Sequence, residues 1–96
     1  MEQFPESIIT KDLNHCYVCG SSHVEIHHIC YGTANRRLST KFGLVVALCN
    51  FHHTGSGDAV HYNKSMDLFF KRLAQTKFTE EYPNLDWQKI FGKNYL

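Results

Sequence analysis

The sequence predicts a small α+β domain in which a β-hairpin leads into helices and is stapled by metal. Three observations predict it. The chain of 96 residues allows one domain, 1–96, with a modest core. Two apolar, β-type segments are each bordered by a close pair of metal-type ligands. The last third of the chain changes to helical spacing.

Residues 7–13 carry no clear period and could form a short helix or a strand. Cys16-x2-Cys19 with Gly20 then makes a tight turn, where the glycine is free to take a positive φ. Residues 24–29 carry β-branched side chains at alternate positions and predict a strand. Residues 31–43 hold Gly32, Thr33, Asn35, Ser39 and Thr40 and predict a loop. Residues 44–48 are uniformly apolar and predict a buried strand. Cys49-x2-His52 follows at once, and residues 54–57 (Thr-Gly-Ser-Gly) interrupt the helix that starts there.

From about residue 63 to 78 the pattern is helical. Met66, Phe69, Phe70, Leu73 and Phe78 make its apolar face, Lys64, Asp67, Lys71, Arg72 and Gln75 fall mostly elsewhere, and Asn63 or Ser65 caps it. Glu80, Glu81 and Pro83 end that helix. A second short helix is expected over 84–92, burying Leu85, Trp87, Ile90 and Phe91 and stopping at Gly92. These aromatic residues have the spacing of a core, not of a base-stacking platform.

A hydrophobic share of 43% and a charged share of 20% suit a folded globular chain, so disorder, collagen-like repeats and coiled coil fit poorly. The longest apolar run, 44–48, is far short of the roughly 20 residues that cross a bilayer. The first six residues lack the basic and apolar regions of a signal peptide, which predicts a cytoplasmic protein. A net charge of +1 excludes a strongly basic nucleic-acid coat but permits a local basic patch. In a cytosolic chain, clustered Cys and His argue for metal rather than disulfides.

The two chelating pairs, Cys16/Cys19 and Cys49/His52, are separated by 29 residues, 20–48. Antiparallel pairing of the strands brings the start of the first beside the end of the second, so both pairs meet at one end of the hairpin. A Cys3His tetrahedron suits structural Zn²⁺. The gap is too long for a DNA-reading Cys2His2 finger, which needs about 12 residues between its pairs. A redox Cys-x-x-Cys lacks the βαβ pattern that should follow it, and the plain alternative is buried thiols with surface histidines. His27 and His28 are neighbours on a strand and point to opposite faces. His53 is rotated about 100° from His52 on a helix, so it can face away from the zinc. Cys30 fits core packing, and His15 and His23 fit surface positions. Lys71, Arg72 and Lys77 fit a solvent face, and Arg36, Arg37 and Lys41 fit either a solvated loop or phosphate contact.

Cys16-x2-Cys19, His27-His28-Ile29 and Leu48-Cys49-x2-His52-His53 together resemble the zinc-containing HNH endonucleases, which have the ββα-metal (His-Me finger) fold. The resemblance covers about residues 14–62, with 63–96 as a helical extension. Residues 27–37, 48–53 and 91–96 are similar to small HNH proteins of bacteriophages and prophages, including those that enhance recombination. The resemblance implies a metal-dependent DNA endonuclease with His28 as general base, and a recombination protein as a partner it allows. It implies His27 and His53 as ligands of a catalytic Mg²⁺, Mn²⁺ or Ni²⁺, with His61 as a further ligand or phosphate contact. The family's middle Asn falls at Leu44, and Asn35 or Asn50 are candidates to replace it in space. The competing reading is a zinc-stabilised nucleic-acid- or protein-binding module that has lost catalysis.

Overall fold

The computed structural model describes residues 7–32 and 34–96. Two short strands, β1 (Glu25–His28) and β2 (Val45–Leu48), pair antiparallel with Glu25 opposite Leu48 and His28 opposite Val45. This register sets the start of β1 beside the end of β2, as the hairpin argument requires. The Tyr17 amide extends the join by donating to the Ala47 carbonyl at 2.8 Å. Both strands are shorter than the apolar segments suggest, because Val24, Ile29 and Leu44 lie just outside the paired residues. β2 is buried along its whole length while β1 is half exposed. Leu44, Val46 and Leu48 alternate into the main core. The edge of β2 away from β1 is covered too: Ser7 Oγ donates to the Val45 carbonyl at 2.6 Å and the Ile8 amide to the Gly43 carbonyl at 2.9 Å. Residues 7–13 are accordingly neither helix nor strand but a run of bends, because their hydrogen bonds go to side chains and to the strand edge.

Residues 31–43 are not simply a loop. They contain helix α1 (Asn35–Phe42), whose polar composition conceals a short inward face of Leu38, Ser39 and Phe42. Gly43 ends α1 at φ 73°, with its amide on the Ser39 and Thr40 carbonyls. After β2 comes α2 (Asn50–His53), a single turn. The chain then doubles back at Gly55, where a Cβ would lie 2.9 Å from the Asn50 carbonyl oxygen. It returns alongside α2, so the Val60 amide reaches the His52 carbonyl at 2.7 Å and the His61 amide the His53 carbonyl at 3.3 Å.

Helix α3 (Lys64–Glu81) is capped by Asn63, whose side chain accepts from the Met66 amide, and runs three residues beyond Phe78. Its buried stripe is Phe70, Ala74 and Phe78, spaced by four. Phe69 is 54% exposed, contrary to its place in the expected apolar face, because it lies about 100° around the helix from Phe70. Gln75, expected on the polar side, is buried. Both ends of its amide are engaged, Nε2 donating to Asn94 Oδ1 and Oε1 accepting from the Tyr95 amide, each at 2.8 Å. Lys71 also leaves the solvent face: its Nζ lies 2.8 Å from Asp67 Oδ2 and over the Tyr31 ring.

Helix α4 (Trp87–Phe91) starts three residues later than its apolar pattern suggests, because Asp86 caps it by accepting from the Gln88 and Lys89 amides. Leu85 therefore precedes the helix and is 45% exposed. Gly92 stops α4 at φ 80°. Phe42, Phe78, Trp87 and Phe91 close the core with edge-on and tilted ring contacts. Among the described residues no helix is long and apolar enough to cross a membrane.

Leu44 is fully buried in this core. Leu44→Asn is expected to cost at least about 2 kcal/mol, since it removes a core side chain and buries an amide. Urea unfolding measures this as a lower midpoint.

Candidate metal centres

The first cluster lies where the hairpin ends meet. Cys16 and Cys19 come from the turn before β1, Cys49 from the end of β2, and His52 from α2. One ligand atom from each lies within 4.8 Å of all the others. Cys49 Sγ is 3.2 Å and Cys16 Sγ 3.7 Å from His52 Nδ1, and Cys19 Sγ is 3.6 Å from Cys49 Sγ. Sulfurs sharing one tetrahedral Zn²⁺ at about 2.3 Å should lie about 3.8 Å apart. The donor set and its spacing therefore fit a metal ion such as zinc. Burial raises the Cys16 thiol, but hydrogen bonds from the Cys49, Cys19 and Val18 backbones outweigh it and bring the thiol down to about 6. Local backbone thus favours the thiolate that a metal needs.

The second cluster is His27, His53 and His61. Their ring centroids are 5.2, 5.1 and 4.9 Å apart. Nε2 of His53 and Nε2 of His61 are separated by 3.3 Å, about the edge expected for two nitrogens held 2.0–2.1 Å from one tetrahedral cation. His27 is 1% exposed, and among the described residues its Nε2 has no hydrogen-bond partner. A buried, orphaned imidazole nitrogen is costly unless something fills its lone pair or takes its proton. Burial, then the neighbouring His53 and His61, hold the His27 imidazole down to about 3. Burial likewise lowers His61, with His53 adding to it and Asp67 opposing. Both shifts favour the neutral ring at His27 and His61, the form in which imidazole ligates metal.

Glu25 belongs to this cluster although the Cys and His motifs do not include it. Its Oε1 accepts from His53 Nδ1 at 2.6 Å, which fixes the proton on Nδ1 and leaves Nε2 for the cluster. The signal was present in the strand period, since Glu25 stands two residues before His27 on the same face. Glu25→Gln is expected to weaken divalent-ion binding at the three histidines about 10- to 100-fold. Isothermal titration of zinc-loaded protein with Mn²⁺ or Ni²⁺ checks it.

His28 points to the other face of β1, where its Nε2 lies 3.0 Å from Thr40 Oγ1. Burial lowers its pKa, with the Arg36 guanidinium adding to it. Among the described residues β1 pairs along one edge only, and side chains from both of its faces reach one pocket of about 160 Å³. His27, His28, Tyr31, Arg36, His53 and His61 line it together with Ile26. Arg37 and Lys41 are exposed on α1 and do not line this pocket. Neither Asn35 nor Asn50 bonds His28; Asn50 Nδ2 instead faces Thr54 Oγ1 at 3.5 Å. His15 pairs with Asp12 at 2.9 Å, and among the described residues neither it nor His23 joins a cluster. Cys30 is a core thiol that burial pushes up to about 12.

The fold and the site define a small α+β domain with a two-stranded antiparallel sheet and two candidate metal centres built at the hairpin. No family model, curated protein or solved structure matches the chain.

Proposed function

We propose that the protein is a metal-dependent DNA endonuclease that hydrolyses phosphodiester bonds, with the fold of the ββα-metal class and a phage or prophage origin. One observation carries this reading: three imidazoles converge on a point at which His27 offers a buried, unpartnered nitrogen, in a pocket that also holds His28 and Arg36. A binding module has no need of such a set. The Cys3His cluster would hold structural Zn²⁺. A divalent ion such as Mg²⁺, Mn²⁺ or Ni²⁺, when bound by His27, His53 and His61, supplies charge to the phosphate and to the leaving oxygen.

His28, neutral near pH 7, takes the proton of a water as the water oxygen bonds phosphorus. The P–O bond to the leaving oxygen then breaks, and solvent reprotonates that oxygen. Arg36 presents a planar fork that matches phosphate oxygens and stands in the same pocket as His28. Arg37 and Lys41 extend the positive charge along α1. A plasmid-nicking assay with each ion, with and without EDTA, tests the proposal, which requires cleavage that EDTA abolishes.

Neutralising Arg36, Arg37 and Lys41 together is expected to weaken DNA binding and to flatten its salt dependence. The slope of log affinity against log salt should fall by about 0.9 for each phosphate the variant no longer neutralises. An unchanged slope in the triple variant would return these side chains to a solvated face.

A further inference from the structure

We propose that the Ser39-Thr40 pair of α1 positions His28, Ser39 by holding the end of β1 and Thr40 by holding the ring; this rests on the reading of His28 as base. Ser39 is fully buried, and its hydroxyl makes two bonds to one residue. Oγ accepts from the Cys30 amide at 3.0 Å and donates to the Cys30 carbonyl at 2.6 Å. Cys30 lies two residues beyond His28, just past the last paired residue of β1. The chain is thus clamped to α1 at the point where sheet pairing no longer holds it.

Thr40 takes the ring itself. Adjacent helix residues are about 100° apart, so Ser39 reaches under the strand end while Thr40 stays exposed and meets His28 Nε2 at 3.0 Å. Among the described residues no other side chain hydrogen-bonds this ring. The Thr40 hydroxyl also lies 3.3 Å from the Arg36 carbonyl, one turn back, where helical threonines commonly donate.

The backbone completes the clamp. The Ser39 carbonyl accepts from the Leu44 amide at 2.8 Å, and the Leu44 carbonyl accepts from the Ile29 amide at 3.0 Å. Position 44 contributes through its main chain, and the polar side-chain work is done by α1. An apolar residue there is compatible with a fixed base.

Nitrogen NMR of histidine-labelled, zinc-loaded protein tests this without DNA. Thr40→Val should shift the His28 Nε2 signal and lower kcat for plasmid nicking about 10- to 100-fold at unchanged KM. Thr40→Ser should restore both. Ser39→Ala should speed exchange of the Cys30 amide at least about tenfold, a local readout that holds even if the variant is less stable overall. A Thr40→Val protein with the wild-type ring signal and kcat would overturn the proposal. Wild-type cleavage by His28→Ala with these signals intact would instead overturn the role of His28 as base.

Discussion

Cys49→Ala is expected to unfold the domain. Cys49 ends β2 and precedes α2, so it ties the strand to the turn that carries His52. A domain this small buries only about 60% of its unfolded surface, and its net stability is about 5–15 kcal/mol. Structural zinc in small domains contributes about 10–16 kcal/mol. Loss of one thiolate from a four-ligand site forfeits much of that sum, so the metal term is as large as the whole stability. The effect should not remain local, because α2 is one turn long and carries both His52 and His53. When His52 lets go, His53 loses the frame that aims it at His27 and His61. The measurement is metal analysis of purified protein, expected to give about one tightly held Zn²⁺, together with thermal melts followed by circular dichroism. A metal-free protein with an unchanged melting transition would end the structural-zinc reading.

The second large effect is on catalysis. His28→Ala should abolish cleavage while zinc content, folding and DNA binding stay close to wild type. General-base catalysis is worth about 10²–10⁴-fold. His28 is only half-buried, so its packing contribution is small. His53→Ala should abolish cleavage by another route, through the divalent ion, and raising the concentration of that ion should restore part of the rate. This difference in rescue separates the base from the ligand. If both variants cut DNA as fast as wild type, the nuclease assignment fails at these residues. The zinc-stabilised binding module, with a partner still to be found, then becomes the better account.

The cysteine and histidine spacing was enough to determine the first cluster. Two chelating pairs that border two β-type segments can meet in one hairpin only if the segments pair antiparallel, and they do. The opposition of His27 and His28, the Asn63 cap and the Gly92 stop were legible for the same reason: each follows from local geometry within a few residues. The helical stripe was legible as a stripe but not in its exact width. Phe69 and Phe70 are equally apolar, and only packing against the rest of the core chose Phe70.

Only the tertiary structure decided what non-local partners decide. Composition marks 31–43 as loop, yet α1 forms there because Leu38, Ser39 and Phe42 find a core to face. Gln75 is buried because Asn94 and Tyr95 satisfy its amide from across the chain. His61 joins His27 and His53 because the turn at Gly55 folds the chain back along α2, which no period in the sequence announces. The Glu25 bond to His53 spans 28 residues. Spacing along a chain fixes the direction in which a side chain leaves its own element, while the group it meets depends on how the elements are folded together.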